Sequence, residues 1–204
     1  LAYLIRHLDG VEGEFRIRLS SLEITEVTDE LLEIAAGSAK VCRHFHLPLQ
    51  SGDDTVLRRM GRWYDSGYFA KKIFEIKKYL PDAGLTTDVI VGFPGETDEQ
   101  FEGTRKFLET HFNGLHVFPF SARAGTGAAR MKGHCAPEVI RKRAGILGEL
   151  DGELRRDFQN RFAGTKRMVL AESDGGFTDN GIRIRAGLSL KDGEMAMVEV
   201  PAAG

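Results

Sequence analysis

The sequence predicts an α/β fold: a parallel sheet, open or closed into part of a barrel, followed by a small antiparallel β-barrel. Strand-like and helix-like segments alternate from Phe15 to about residue 160, which indicates βα units and a parallel sheet. After Gly164 the pattern changes to short alternating strands separated by glycines, which is typical of a small antiparallel barrel. In either form of the parallel sheet, ligands bind at the carboxyl ends of the strands.

The composition fits one large domain and one small domain. The chain has 204 residues, of which 42% are hydrophobic, and a formal net charge of -2, so it can bury a core. Its apolar runs are shorter than the roughly 18 residues that would span a membrane, and LAYLIRHLDG lacks the flanks of a signal peptide. We therefore expect a cytoplasmic protein without a membrane partner. The start without Met, inside an apparent helix, suggests a fragment of a longer protein.

Hydrophobic periodicity and capping residues predict four strands and the helices between them. The strand-like segments are FRIRLSS (15–21), VCRHFHLPLQ (41–50), LTTDVIVGF (85–93) and GLHVFPFS (114–121). The helical segments are TDELLEIAAGS (28–38), DDTVLRRM (53–60), SGYFAKKIFEIKKYL (66–80), TDEQFEGTRKFLETH (97–111) and a long segment from Pro137 to Gly164. Thr28 is a predicted N-cap, and Thr97 with Gln100 resembles a capping box.

The segment DVIVGFPGET joins a buried strand to a glycine-containing turn. Gly92 and Gly95 would let a flat ligand or a phosphate approach main-chain groups that a side chain would block. The alternative is a tight turn between strand and helix that needs glycine for its geometry alone.

Polar residues alternate along the second predicted strand. Cys42, His44 and His46 share one face, which raises the hypothesis of a zinc site. Three same-face residues of one strand are poorly placed for tetrahedral coordination, so we favour a polar inward face that leads to Gln50 and predict no metal site.

The first predicted strand repeats this arrangement. Arg16 and Arg18 share one face, and Ser20, Ser21 and Glu23 cluster where the strand ends. These groups would suit an amino acid or a ribose, although either serine would also serve to cap a turn.

Four motifs in this order resemble one known family. RIRLSSLE, VCRHFHLPLQSGDDTVLRRMGRWY, TDVIVGFPGETDEQF and HVFPFSARAGTGAARM are similar to the C-terminal half of the radical S-adenosylmethionine domain of the tRNA methylthiotransferases. The match is best to the branch that acts on threonylcarbamoyladenosine beside the anticodon. The resemblance implies the C-terminal part of a radical S-adenosylmethionine partial (β/α) barrel over residues 1–135, a connecting helix over 136–163 and a TRAM-like RNA-binding domain over 164–204.

The resemblance also implies a binding site for S-adenosylmethionine. Ile90, Val91 and Gly92 would contact the adenine through the main chain, and Phe118 and Phe120 would close the adenine side. The methionyl and ribose portions would be lined by Ser20, Ser21, Glu23, Gln50 and Ser51, with Arg62 near the carboxylate or a neighbouring acid.

Iron–sulfur clusters are implied for the full-length enzymes and not for this chain. Such enzymes hold one [4Fe-4S] cluster on a CxxxCxxC motif, whose iron chelates the amino and carboxylate groups of the cofactor, and a second on three N-terminal cysteines. This sequence has 2 cysteines, Cys42 and Cys135, which we expect to be reduced thiols. We therefore predict no catalytic residue and an inactive fragment, and we expect its open barrel edge to favour self-association.

Basic residues are enriched at the end of the connecting helix and at the start of the TRAM-like domain. The family resemblance implies that their partner is tRNA. The residues predicted to contact RNA are Arg155, Arg156, Arg161, Lys166 and Arg167. VLAE, GFTDNGIRIR and GEMAMVEV are the blocks that resemble a TRAM module. A solvated helix face is the alternative for the basic stretch. For the whole chain, the alternatives are a stand-alone RNA-binding module on a barrel scaffold and another radical S-adenosylmethionine enzyme.

Overall fold

The computed structural model describes residues 1–184 and 190–204. Its first sheet contains β1 (Ile17–Leu19), β2 (Val41–His46), β3 (Gly84–Val91) and β4 (Gly114–Pro119). These strands are all parallel and lie in the order β1-β2-β3-β4, so consecutive strands are neighbours. The predicted α/β fold with a parallel sheet is confirmed.

Six α-helices accompany the strands in the part of the chain that the structure describes. They are α1 (Ala2–Asp9), α2 (Asp29–Gly37), α3 (Asp54–Arg59), α4 (Ser66–Tyr79), α5 (Asp98–His111) and α6 (Pro137–Asn160). Thr28 caps α2 by accepting from Leu31 N, and Thr97 with Gln100 forms a complete capping box on α5. Both predicted caps are confirmed. None of the helices in the described ranges is both long and apolar enough to cross a membrane.

The two faces of the parallel sheet differ in chemistry. Phe45, Leu85 and Val89 are fully buried in the main hydrophobic core, together with side chains from the helices. Because side chains alternate along a strand, the intervening residues face the other way. This inward face is polar, as the sequence predicted for β2, and it carries His44, His46, Thr86, Asp88 and His116.

The tail forms a second sheet. β5 (Lys166–Glu172), β6 (Gly175–Thr178), β7 (Arg183–Ile184) and β8 (Met195–Glu199) are antiparallel in the order β7-β6-β5-β8. The predicted antiparallel tail is confirmed as a four-stranded sheet, and the pairings among the described residues do not close it into a barrel. Arg185, within the predicted block GFTDNGIRIR, lies outside the described residues.

The second sheet packs against the amino-terminal end of the first. Asn180 donates from Nδ2 to the carbonyl of Asp82 at 3.2 Å, and Asp82 lies two residues before β3. Arg167 forms ion pairs with Asp82 at 2.6 Å and Asp179 at 3.5 Å. A Cβ placed on Gly84, the first residue of β3, would lie 2.1 Å from the carbonyl oxygen of Asn180. The turn between β6 and β7 is therefore in direct main-chain contact with the first sheet.

Helix α6 belongs to both cores. Near its start, Ile140 lies against Gly92 at the carboxyl end of β3. Further along, Asp151 accepts a hydrogen bond from Leu115 N at the beginning of β4. Its last turns place Phe158 in the smaller core of the second sheet. The helix therefore runs back along the first sheet, from the carboxyl edge of the strands to the amino edge.

Candidate functional site

Backbone strain occurs at the carboxyl edge of the parallel sheet. Ser21 follows β1 with φ 51°, and Gln50 follows β2 with φ 75°. They are the non-glycine residues with positive φ in the described part of the chain. Such conformations cost free energy and cluster where function requires a fixed geometry. Two strained residues on neighbouring strands indicate a ligand-binding edge.

Gln50, four residues beyond the end of β2, is held in place by backbone pairing with β3. Its N–H donates to the carbonyl of Asp88 and its carbonyl accepts from Ile90 N, both at 2.9 Å. The hydroxyl of Tyr64 lies 3.1 and 3.0 Å from the carbonyl oxygens of Pro48 and Leu49. These bonds fix the loop after β2. Sequence analysis missed Tyr64, which is an aromatic residue beyond α3 without a local signal.

The Ile90 carbonyl lies at a gap in the strand pairing. The N–H and C=O of one strand residue point to the same neighbour, and the N–H of Ile90 points to Gln50. In a regular ladder Gly52 N would donate to the Ile90 carbonyl, but it donates to Thr104 Oγ1 at 3.1 Å. The carbonyl therefore lacks its regular strand partner at the carboxyl edge, where an amino group of a flat heterocycle would suit it.

The turn after β3 uses its glycines to pack against other parts of this chain. Gly92 has φ 76°, and a Cβ there would lie 2.5 Å from Ile140 Cγ1. A Cβ on Gly95 would lie 2.3 Å from a guanidinium nitrogen of Arg59. The N–H of Gly92 donates to Glu96 Oε2 at 2.7 Å. These contacts favour the alternative interpretation of this turn, in which glycine is needed for the geometry of the turn itself.

A buried ion pair fastens this turn to α6. Arg143 Nη1 lies 2.7 Å from Glu96 Oε2, with side-chain exposures of 5% and 1%, and Nη2 bonds Asp98 at 2.8 Å. Burial raises the pKa of Glu96, although the Gly92 N–H and the Arg143 charge oppose that shift. The hydrogen bond from Arg143 lowers the pKa of Asp98. Sequence analysis also missed Arg143, because its partners lie far away along the chain.

The remaining residues predicted to bind the cofactor differ in the contacts that they make within this chain. Ser51 is fully buried and its hydroxyl lies 3.2 Å from Thr104 Oγ1, so it braces α5. Burial raises the pKa of the Tyr64 hydroxyl to about 12. The charge of Arg62 opposes this rise in pKa, and the charge of Glu23 adds to it. This places the two charges near the Gln50 loop.

The aromatic residues at the end of β4 also differ from each other. Phe120 packs edge-on against Phe93, with ring centroids 5.4 Å apart. Phe118 is 49% exposed, so its ring is accessible to a ligand.

The predicted RNA-contacting residues lie toward the opposite edge of the sheet. Arg155 is paired with Asp151 at 2.8 Å, and Arg167 joins the two sheets through Asp82 and Asp179. Arg161 stacks on Phe158, 4.9 Å from its ring centroid. Within the described ranges, Arg156, Arg161 and Lys166 form no ion pair and are exposed. A cavity of about 860 Å³ between the sheets is lined by both Arg155 and Arg156.

The cysteines do not form a cluster site. Cys42 and Cys135 are both free, as predicted, with Cys42 buried on β2. Cys135 lies 3.7 Å from Arg143 Nη1, beside the turn after β3. A [4Fe-4S] cluster needs three or four thiolates, so the residues present do not fit one.

The fold is an α/β scaffold of the type in which ligands bind at the carboxyl ends of the parallel strands, which is the edge where the two strained residues lie. The family model of the radical SAM superfamily matches residues 1–108, which is more than half of the chain. The chain belongs to the radical SAM superfamily.

Relatives of this chain include several curated tRNA-modifying enzymes. Threonylcarbamoyladenosine tRNA methylthiotransferase MtaB of Bacillus subtilis (strain 168) is 43% identical over 173 residues, covering 84% of this chain and 38% of that protein. Its counterpart from Thermotoga maritima is 39% identical, with coverage of 84% and 40%. A tRNA-2-methylthio-N(6)-dimethylallyladenosine synthase of Clavibacter michiganensis is 36% identical over 98% of this chain and 38% of that protein. The predicted resemblance is confirmed, and the chain spans about two fifths of these relatives.

Among solved structures, the fold is similar to coproporphyrinogen III oxidase (HemN) from Escherichia coli, described as a radical SAM enzyme. The TM-score is 0.53 at 19% identity, covering 74% of this chain and 34% of that one. This likeness supports the fold alone.

Proposed function

We propose that this chain is the cofactor-edge and tRNA-contacting part of an enzyme that adds a methylthio group to C2 of threonylcarbamoyladenosine next to the anticodon. The observation that carries the proposal is the carboxyl edge itself, where Ser21, Gln50 and the Ile90 carbonyl converge on neighbouring strands. The names of the Bacillus subtilis and Thermotoga maritima relatives support the choice of adenosine.

S-adenosylmethionine is the cofactor that we assign to this edge. Ile90 would accept a hydrogen bond from the adenine amino group, and Phe118 would cover the ring. Ser20, Ser21 and Gln50 would surround the ribose and methionyl portions, next to the charges of Glu23 and Arg62. Bound at this edge in the whole enzyme, S-adenosylmethionine would supply the radical chemistry for methylthiolation, and the residues named here would hold and orient it. Because the cysteines present do not fit a cluster, we propose that the 204-residue chain alone is inactive.

We expect the isolated chain to bind S-adenosylmethionine only weakly, with a Kd above about 0.1 mM, because no cluster iron chelates the amino and carboxylate groups. Replacing the half-exposed Phe118 with alanine should weaken this binding further. Ligand-detected NMR titration measures both values.

Phe74→Ala is the matched control, since Phe74 is 70% exposed on α4. It should leave the affinity unchanged. Micromolar or tighter binding by the isolated chain, about -8 kcal/mol, would contradict the expected weakness. Equal losses in the two phenylalanine variants would contradict the assignment of the edge.

The tRNA contact is expected on Arg156, Arg161 and Lys166, which are exposed and free of ion pairs in the described part of the chain. Changing all three to glutamate should weaken tRNA binding at least tenfold. The salt dependence should also flatten, by about 0.7 to 0.9 in log-log slope for each phosphate that the variant no longer neutralises. Filter-binding titrations between about 50 and 200 mM salt measure both effects.

The control variant changes Lys71, Lys78 and Lys106 to glutamate, which alters the charge equally on other helices. Lys77 is unsuitable because the charge of Arg161 acts on it. Equal losses in the two triple variants would indicate general electrostatics and return the basic stretch to a solvated face.

A stand-alone RNA-binding module is the second candidate, favoured by the separate antiparallel sheet joined to the first through Arg167. It predicts tRNA binding together with indifference to Phe118→Ala in the cofactor titration. Another radical SAM enzyme is the third candidate. It predicts cofactor binding that depends on Phe118 without preferential binding of tRNA.

A further inference from the structure

Three side chains from neighbouring strands converge on the inward face of the parallel sheet. His46 ends β2, Asp88 lies in β3, and His116 lies in β4. Asp88 is directly opposite His116 in the strand register, and His46 is opposite Thr86, two residues before Asp88. Because side chains alternate along each strand, this register places all three side chains next to one another on the inward face of the sheet.

We propose that His46, Asp88 and His116 form a binding site for one divalent first-row transition-metal ion. His46 Nε2 lies 3.0 Å from Asp88 Oδ1, and His116 Nδ1 lies 3.3 Å from the same oxygen. The three ligand atoms all lie within 4.8 Å of one another. Bonds of about 2.0 to 2.1 Å at tetrahedral or octahedral angles separate neighbouring ligand atoms by about 2.9 to 3.4 Å, which matches the two distances to Asp88. The two nitrogens would reach one ion once they lie within about 4.2 Å of each other, which is twice the bond length.

The surroundings of His46 orient it for this role. The His46 side chain is 9% exposed, and its Nδ1 lies 2.9 Å from Thr86 Oγ1, which leaves Nε2 directed at Asp88. Metal-binding histidines commonly use their second nitrogen in this way. Thr86 also lies 3.2 Å from His44 Nε2, so His44 supports the threonine and is not a ligand.

The donor set and its exposure indicate the type of ion and site. Two imidazoles and one carboxylate suit zinc, iron, cobalt or nickel better than magnesium or calcium, which prefer oxygen ligands. The His116 side chain is 54% exposed, so water or a ligand can reach the remaining coordination positions. This site differs from the sequence-derived hypothesis, since Cys42 and His44 do not take part. It is also independent of the proposed function, because it requires neither S-adenosylmethionine nor tRNA.

Hydrogen bonding alone would also hold these three groups together, with each imidazole donating to Asp88. The two explanations differ in what the chain does when metal is added. Purified, metal-stripped chain is titrated with Co²⁺, followed by visible absorption, and with Zn²⁺, followed by competition with a chromophoric chelator. A Cys135→Ala background removes the partly buried thiol. We expect one ion per chain with a Kd below about 10 μM.

Asp88→Asn, which keeps the shape of the side chain, and His116→Ala, at a half-exposed position, should each weaken binding at least 100-fold. Thr86→Val should weaken it about 10- to 100-fold, through orientation of His46. His111→Ala and His134→Ala, outside the cluster, should bind like the parent. Circular dichroism and thermal melts establish that each variant is folded.

Absence of one-to-one binding tighter than about 10 μM in the folded parent would overturn the proposal. Parent-like affinity in both Asp88→Asn and His116→Ala would also overturn it. In either case the three residues would be a hydrogen-bonded polar lining. Selective loss of binding in the cluster variants would establish the site.

Discussion

Replacing Arg143 with alanine is expected to lower the free energy of unfolding by about 3 to 5 kcal/mol, because the change leaves the carboxylate of Glu96 buried without its partner. The two side chains are 5% and 1% exposed, and their charged atoms lie 2.7 Å apart. The loss should appear as a lower midpoint in urea unfolding at neutral pH. Arg105→Ala is the matched control: Arg105 bonds Glu102 and Glu109 on the exposed face of α5, and its removal should cost less than about 1 kcal/mol.

The deficit of Arg143→Ala should shrink at acid pH. Burial already raises the pKa of Glu96 in the folded protein, and losing the Arg143 charge removes one of the effects that oppose this rise. A carboxyl group with a raised folded-state pKa binds a proton more readily in the folded state than in the unfolded state. Falling pH therefore favours the folded variant. Urea unfolding at about pH 8 and about pH 5 checks this sign, and an equal deficit at both pH values would contradict it.

Gly84→Ala is expected to destabilise the protein by about 1 to 3 kcal/mol, because the added methyl group meets the main chain of the turn between β6 and β7. The new Cβ would lie 2.1 Å from the carbonyl oxygen of Asn180, and a backbone atom cannot rotate away as a side chain can. The two sheets must therefore separate locally. Urea unfolding measures the loss, and limited proteolysis should show faster cleavage within the second sheet.

Gly145→Ala provides the control with the same chemical change. Gly145 lies inside α6, and a methyl group added there would have no neighbouring atom within 4 Å. Alanine there should stabilise the protein by about 0.5 to 1 kcal/mol, since glycine is unfavourable inside a helix. A Gly84→Ala protein as stable as the parent would show that the contact between the sheets is weaker than the geometry indicates.

Local signals in the sequence predicted the elements well. Caps act within three or four residues, so Thr28 and Thr97 located the starts of α2 and α5 correctly. The first strand was predicted over residues 15–21 but spans only Ile17–Leu19, because among the described residues it is an edge strand paired with β2 and its register shifts between those residues. Turn and loop contacts were less predictable: the return of Gln50 to pair with β3 depends on Tyr64 and Thr87, far along the chain.

The candidate sites show the limit of sequence analysis more clearly. Alternation predicted that His44 and His46 share a face, but the partnership of His46 with Asp88 and His116 depends on the register of three strands. Counting basic residues identified Arg155 and Arg167. It could not show that each is paired with a carboxylate. Contacts between distant segments determine both outcomes, and no local pattern records them.

Helix α6 fixes the distance between the carboxyl edge of the first sheet and the core of the second sheet. Its 24 residues span about 36 Å, and the 18 residue steps from Ile140, beside Gly92, to Phe158, in the smaller core, cover about 27 Å. One inserted or deleted residue would shift everything beyond it by about 1.5 Å and turn it by about 100°. The contact of Ile140 with Gly92 and the packing of Phe158 could then not both be kept. We therefore expect insertions and deletions in α6 to be poorly tolerated, even at positions where an exposed side chain can be substituted freely.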